Sequence, residues 1–306
     1  MKKTNNITLL NTVASMFLNV ATILSGFIVP KLIITYLGSE VNGLYLSLEQ
    51  YLNYFSLMEG GLGGVIMATL YKPLFEKDFE KVSQIIVTAM KFFRKIAAFF
   101  LFYLVGVAAL YPILVKSSFS YGFIFSLTLI LGINFFIRYY AILICRILLS
   151  ADRKVYVTAF IETVCLVIEV VGFIIAIKIY PRIHVVKLIT VIVYIFQLYL
   201  LERYVHKNYE INYKANKDSN LIAQRWNGMG VMTAAFIHQN TDIVILTIFQ
   251  NLKIVSVYSI YSMITNALKK LISSVVSGVT PSIGALIAEG NKEKLLKAYN
   301  SYEFLM

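Results

Sequence analysis

The sequence predicts an all-α protein, a polytopic bundle of transmembrane helices. Three observations support this prediction. Eight long apolar stretches alternate with short polar loops. The chain is 58% hydrophobic and only 14% charged, with a mean hydropathy of +0.74, values that are not typical of a soluble domain of 306 residues. Lysine and arginine are concentrated in every second loop, as in multi-pass membrane proteins.

Most of the expected spans reach the roughly 20 residues that a bilayer requires. They cover residues 8–36, 42–72, 92–115, 121–146, 155–180, 183–203, 224–250 and 254–288. The first follows a short basic terminus and is too long for a signal peptide, so we interpret it as an uncleaved anchor. Glycines at 60–64 interrupt the second span, Pro30 bends the first, and Gly278 with Pro281 interrupts the eighth.

The loop charges predict the orientation. Nineteen basic residues lie at one set of span ends and six at the other, so the amino terminus is expected in the cytoplasm. The net charge of +12 is then explained by orientation and by anionic membrane lipid as a partner, and no nucleic acid is required. Two cysteines inside or at the end of spans support neither a disulfide framework nor a metal site.

Polar residues follow helical spacing in three of the spans, where lipid would not accept them. The stripes are Asn11, Ser15, Asn19, Thr22 and Gly26; Asn42, Tyr45, Glu49, Asn53, Ser56, Gly60 and Gly63; and Ser262, Asn266, Lys269, Ser273, Ser277 and Thr280. Close helix packing explains the small residues, but it does not explain Glu49, Glu59 and Lys269 at such depths. Packing and a water-filled cavity both remain open.

Charges inside spans are costly, at least about 2.5 kcal/mol each, unless they are paired or hydrated. Arg138 is expected near the bilayer centre, at a depth compatible with Glu162 or Glu169. Asp242 is compatible in depth with Lys269 or Lys270. Ion pairs that only fix the fold, and a hydrated transport cavity, are the two interpretations.

A faint internal repeat relates the first and seventh spans. At an offset of 213, residues 36–53 overlay residues 249–266 and match Tyr45 with Tyr258 and Asn53 with Asn266. The offset equals six spans, which suggests a parallel repeat of six-helix units. The expected organisation is a first lobe at 1–204, a cytoplasmic linker at 205–223 and the start of a second lobe at 224–306.

Several motifs carry a resemblance to a known family. Residues 37–45 (LGSEVNGLY), 58–63 (MEGGLG), 71–74 (YKPL), 240–246 (NTDIVIL) and 257–259 (VYS) resemble those of bacterial polysaccharide flippases in the multidrug/oligosaccharidyl-lipid/polysaccharide exporter superfamily. The chain departs from them at 249–253, where relatives usually have a glycine-containing turn.

This resemblance implies a transporter of the bacterial cytoplasmic membrane and no enzyme activity, catalytic residue or metal. Its partner would be undecaprenyl-pyrophosphate-linked oligosaccharide, moved outward for capsule, exopolysaccharide or O-antigen synthesis. The diphosphate requires cations. The implied substrate-binding residues are Arg138, Lys269, Lys270, Asn19, Asn53 and Asn266. The implied ion-coupling residues are Glu162, Glu169 and Asp242, acting with H⁺ or Na⁺ and no other cofactor.

Such flippases have twelve to fourteen helices in two lobes, so a carboxy-terminal half is expected to be missing from this chain. The alternatives are a multidrug-type exporter of the same superfamily, a membrane polysaccharide polymerase or glycosyltransferase, and a nonfunctional truncated fragment. The basic candidates argue against a cation exporter. The short outer loops, with Glu40 and His184 as their only acidic residue and histidine, argue against an enzyme.

Overall fold

A computed structural model of the chain describes residues 2–59, 62–115, 117–215 and 241–269, together with residues 296, 300 and 303. These residues form helices and connecting turns with no strand among them, which confirms the all-α fold class. The helices are α1 (Lys2–Leu37), α2 (Ser39–Asn53), α3 (Leu62–Glu76), α4 (Phe79–Leu114), α5 (Tyr121–Ile137), α6 (Leu143–Ala151), α7 (Val155–Ile179), α8 (Ile183–Asn208), α9 (241–249) and α10 (252–269).

Five helical stretches of the described chain are long and apolar enough to cross a membrane. They are Leu9–Leu37, Phe79–Leu114, Tyr121–Ala151, Val155–Ile179 and Ile183–Asn208. They correspond to the first and the third to sixth expected spans, and α5 and α6 together make one of them. The chain is therefore a multi-pass membrane protein. Which end faces the cytoplasm stays a prediction.

The second expected span is broken, as its glycines predicted. Its first part, α2, ends at Asn53 and passes into a 3₁₀ helix at Tyr54–Glu59, and α3 begins at Leu62. The two α-helices have 15 residues each, so neither crosses a bilayer alone. Before α2, Gly38 has φ of +93° and ψ of 159°, a conformation open only to glycine, and this allows the sharp turn out of α1.

Hydrogen bonds between loops show that alternate loops meet at opposite ends of the bundle. At the predicted outer end, the Ser118 hydroxyl lies 3.0 Å from Glu40 Oε1 and donates to it. At the other end, Asn11 Nδ2 donates to the carbonyl of Arg153 at 2.8 Å, and its Oδ1 accepts from the Tyr156 amide at 2.9 Å. Asn11 therefore ties α1 to the turn between α6 and α7.

The hairpin formed by α9 and the first residues of α10 packs against α2. Asn42 Nδ2 donates to the Ser256 hydroxyl at 2.8 Å, and the hydroxyls of Ser47 and Thr247 lie 2.7 Å apart. All four side chains are buried. Gly43 is needed at this contact, because a Cβ there would overlap the backbone carbonyl of Leu252.

The chain divides into two compact units, Met1–Val257 and Tyr258–Met306. In the second unit the structure describes the helical residues 258–269, in which Asn266 and Lys269 are exposed. Parts of the expected linker and of the last two spans, at 216–223, 224–240 and 270–288, lie outside the described residues.

Candidate functional site

An arginine cluster lies in the first unit, on the 3₁₀ helix after α2, on α6 and α7, and on the segment that precedes α6. Arg146 Nε lies 2.9 Å from Glu162 Oε1 as an ion pair, and its Nη2 donates a hydrogen bond to Oε2 at 3.1 Å. The 3.1 Å contact is the hydrogen bond, and Glu162 Oε1 accepts none from the described residues. Arg138 lies within electrostatic reach of Glu162, and Glu59 within reach of both arginines. We call Glu59, Arg138, Arg146 and Glu162 the arginine cluster.

A π-helical turn at Arg138–Ile142 explains why the two arginines face the same carboxylates. The Leu143 amide donates to the Arg138 carbonyl, a bond that spans five residues instead of four. In a regular helix, residues eight apart are rotated by about 80°, whereas residues seven apart lie within about 20° of each other. The extra residue in the π turn gives Arg146 the angular position that residue 145 would otherwise hold.

Three buried polar atoms beside the π turn have no hydrogen-bond partner among the described residues. They are Arg138 Nε, Asn134 Oδ1 and the Tyr139 hydroxyl. Tyr139 is 0% exposed and packs against Phe55 and Phe100, with ring centroids 5.6 and 5.9 Å away. Buried polar groups are nearly always satisfied, so donors and acceptors left open together indicate a place for water or a polar ligand.

A second group of charges, the lysine cluster, lies about 10 Å along α7 from the first, given the seven residues between Glu162 and Glu169. It consists of Tyr45 and Glu49 on α2, Glu169 on α7, and Lys187 and Thr190 on α8. Tyr194, on α8, is within electrostatic reach of Glu49 and Glu169 and also of Arg138 and Glu162. It therefore lies between the two clusters.

A third feature is a cavity of about 700 Å³ at the predicted outer end. It is lined by residues of the loops before α2, α5 and α8 and of the first turns of these helices, among them Phe119, Phe123, Arg182 and His184. His184 Nε2 lies 2.8 Å from the Ser126 hydroxyl, and its ring meets that of Phe123 edge-on at 4.7 Å. These contacts hold the histidine in the cavity wall.

Comparisons with protein families, with curated proteins and with solved structures find no match. The interpretation of the site therefore rests on the geometry above and on the motifs in the sequence.

The structure brings together three of the residues expected at the site, Arg138, Glu162 and Glu169, each partly buried in one bundle. Asn53 is partly buried at the end of α2, and the remaining described candidates are exposed: Asn19 on α1, Asp242 on α9, and Asn266 and Lys269 in the second unit. Lys270 lies outside the described residues. Asp242 belongs to the first unit, whereas Lys269 and Lys270 belong to the second. The expected pairing of Asp242 with either lysine therefore stays a prediction.

Two cations of the clusters were not assigned to the site by the sequence analysis, which counted them among the charges at span ends. Arg146 pairs with Glu162 while its side chain stays 43% exposed, and Lys187 is only 3% exposed. Glu49 and Glu59 were recognised as too deep for simple packing but were not assigned to the site. The partners of each cation could not be predicted from the sequence, because they depend on which helices are neighbours. For Arg146, the direction of the side chain also depends on the π turn, which the sequence analysis did not predict.

Proposed function

We propose that this chain is a transport protein of the flippase type, which moves undecaprenyl-pyrophosphate-linked oligosaccharide across the bacterial cytoplasmic membrane. The observation that carries the proposal is the arginine cluster, two guanidinium groups among membrane-spanning helices with Arg138 Nε left open. Charges at that depth are rare and are typical of a substrate pathway. Arginine is the residue best suited to phosphate, because its planar fork donates two hydrogen bonds at once.

The charge balance suggests how the diphosphate would be held and released. Two arginines and two glutamates balance each other when no cargo is present. An arriving diphosphate competes with Glu59 and Glu162 for the same guanidinium groups. Binding is then an exchange of one anion for another, and the ion pair of Arg146 with Glu162 can form again as the cargo leaves. Such exchange keeps affinity moderate, which transport requires.

The sugars need hydrogen-bonding groups beside the phosphates. Asn134 Oδ1 and the Tyr139 hydroxyl are open beside Arg138, and Asn53 lies at the end of α2. Asn19, Asn266, Lys269 and Lys270 stay predictions for the same role. The lipid tail can remain in the bilayer between helices, so the site does not have to bury it.

The first test is binding by the purified chain in lipid nanodiscs, with undecaprenyl diphosphate as the ligand. We expect Arg138→Ala to weaken binding about 10-fold to 100-fold, because a hydrogen bond to a charged group contributes about 1.5–3 kcal/mol. Arg138→Lys should recover only part of the affinity, since it returns the charge without the fork. Arg203→Ala is the matched control, because Arg203 is exposed near the end of α8 and donates a hydrogen bond to the Tyr199 hydroxyl on the same helix.

The second test is export. Cells that lack their own flippase and make a matching lipid-linked repeat unit are supplied with the wild-type gene or the variants, and surface polysaccharide is measured alongside the amount of protein in the membrane. We expect the alanine variant to insert but not to export. Unchanged binding and export by Arg138→Ala would remove the arginine cluster from the substrate pathway. Stronger binding of hydrophobic cations than of the diphosphate would favour a drug exporter.

A further inference from the structure

The cavity at the predicted outer end has no role in the transport function proposed above, and we call it the outer cavity. Its volume of about 700 Å³ lies within the range of pockets that hold small organic molecules. Its described lining is mostly apolar or aromatic, with the polar side chains of Ser120, Ser126, Arg182 and His184 and no acidic residue. Apolar walls make water a poor occupant. A ligand that fits this cavity therefore has a substantial apolar part.

Arg182 supplies the positive charge of the outer cavity. Its guanidinium carbon lies 4.7 Å from the centre of the Tyr180 ring, a contact that orients the group. Arg182 forms no ion pair within the part of the chain that the structure describes, so its guanidinium is available to an external anion. Such a group binds phosphate through two hydrogen bonds at once. α8 begins directly after Arg182 without a side-chain cap, so its first backbone amides add donors at the same place.

Two other polar groups of the lining have hydrogen-bonding capacity left for a ligand. The Ser120 oxygen accepts a hydrogen bond from the Phe123 amide at 3.4 Å, which leaves the hydroxyl hydrogen to be donated. His184 Nε2 lies 3.2 Å from the Phe123 carbonyl oxygen, which can only accept, so Nε2 carries a hydrogen. The other ring nitrogen, Nδ1, makes no hydrogen bond to a described residue. The lining thus offers one cation, one hydroxyl donor and one imidazole nitrogen.

The position of the outer cavity favours a lipid over a dissolved anion. Tyr121 begins α5 and Tyr180 follows α7, both are exposed, and tyrosines at span ends are typical of the membrane–water interface. Ile179 ends the apolar span α7 and is 76% exposed, so it faces the acyl chains. Phe119 and Phe123 stack at 5.1 Å between ring centroids and give the cavity an apolar wall. The cavity therefore lies at the depth of the lipid headgroups, with an acyl-chain region next to it.

We propose that the outer cavity binds one anionic phospholipid of the adjacent leaflet. Its phosphate lies at Arg182 and Ser120, and the upper part of one acyl chain lies against Phe119 and Phe123. Such a site differs from the general attraction of basic loops for anionic lipid, because it requires one particular arginine and a shaped apolar wall. The bound lipid contacts the segments that begin α2, α5 and α8 and holds these three ends together. This inference does not depend on the proposed flippase function.

The test uses the purified full chain in nanodiscs of phosphatidylcholine, which has no net charge. They also contain a small amount of a phosphatidylglycerol with a photoreactive group near the top of one acyl chain. After illumination, the labelled peptides are identified by mass spectrometry. We expect labelling at the starts of α5 and α8 that saturates with the amount of the probe.

Arg182→Gln should raise the amount of probe needed for half-maximal labelling about 10-fold, because a charge-assisted hydrogen bond to the phosphate is lost. Lys178→Gln is the matched control. Lys178 is an exposed cation in the last turn of α7 and is not part of the lining, so its loss removes the same charge from the same end of the bundle. We expect this variant to label like the wild type.

Two competitors distinguish a lipid from a dissolved phosphate ester. Unlabelled phosphatidylglycerol should suppress the labelling, whereas glycerophosphoglycerol, the same headgroup without acyl chains, should not do so at the same concentration. Equal suppression by both would show that the cavity takes a dissolved phosphate ester and would overturn the proposal. It is also refuted if the two segments are not labelled, if Arg182→Gln labels like the wild type, or if a photoreactive phosphatidylcholine labels these segments equally well.

Discussion

Replacing Gly43 with alanine tests the contact between α2 and the α9–α10 hairpin. In a helix, alanine is more stable than glycine by about 0.5–1 kcal/mol, so local preference alone would make Gly43→Ala stabilising. The new methyl group, however, would overlap the carbonyl of Leu252, which belongs to a backbone and cannot rotate away. The hairpin would then have to move.

That movement determines the magnitude. Overpacking costs about 1–3 kcal/mol. It also separates Asn42 from Ser256, and a buried amide that loses its partner costs about 1–3 kcal/mol more. After the gain from helix preference, we expect the free energy of unfolding to fall by about 2–4 kcal/mol.

The assay is unfolding in detergent micelles, followed by circular dichroism. Gly106→Ala is the matched control: Gly106 lies within α4 with open space around its Cβ position, so alanine there should stabilise by about 0.5–1 kcal/mol. Asn42→Ala should add little in the Gly43→Ala background, because the bond it removes is already broken. If both glycine variants gain stability equally, the close approach of α2 to Leu252 is refuted.

Two further predictions concern the ends of the bundle. Single cysteines that replace exposed residues should react with an impermeant thiol reagent from outside the cell at Ser118 and Lys253 but not at Glu80 or Lys214, and the opposite pattern would reverse the predicted orientation. The native Cys145 and Cys165 are buried and should give little background. Tyr209→Phe should lower the free energy of unfolding by about 1–2 kcal/mol at neutral pH, because the Tyr209 hydroxyl donates to Asp152 at 2.5 Å. Burial and this hydrogen bond raise the pKa of Tyr209. The contribution of its hydroxyl to the free energy of unfolding is therefore complete below about pH 10 and is lost as the pH rises through the raised pKa. Unfolding curves of the wild type and the variant should converge at high pH. A stability difference that stays constant with pH would show that the hydroxyl plays no part.

The long helices could be predicted from the sequence because one local property, sustained apolar composition, determines them. Four expected spans agree closely with α1, α7, α8 and the combined helix from α5 to α6. α4 begins at Phe79, earlier than the expected residue 92, because its first turns are polar and lie outside the apolar stretch. Asp78 starts this helix by accepting a hydrogen bond from the Lys81 amide.

The charge clusters could be predicted only in part. The sequence singled out Arg138, Glu162 and Glu169 as charges within expected spans, and the structure brings all three, each partly buried, into one bundle. Their partners do not follow from counting. Lys187 lies over the Tyr45 ring, within electrostatic reach of Glu49, although α8 packs mainly against α5 and α7, and that arrangement is a property of the packed bundle.

The polar stripes illustrate the same limit. On α1, Asn11 serves as a structural bridge to the turn before α7, whereas Asn19 on the same expected stripe is exposed. On α2, Asn42 contacts α10 and Glu49 belongs to the lysine cluster. Helical spacing places the residues of each stripe on one face of their helix. It does not predict which neighbouring segment packs against each part of that face.

The π turn lets this helix carry one residue more than a regular helix would without changing which side chain faces Glu162. Removing a single codon from the stretch that encodes 139–141 would restore a regular helix and leave Arg146 at its present angle, because Arg146 already holds the position of residue 145. A turn that became regular at unchanged length would instead rotate everything after it by about 100°, so that the thiol of Cys145 turned toward Glu162 and Arg146 turned away. The same sequence can thus present either a guanidinium or a thiol to one carboxylate, and the choice depends on the hydrogen bonding of a single turn.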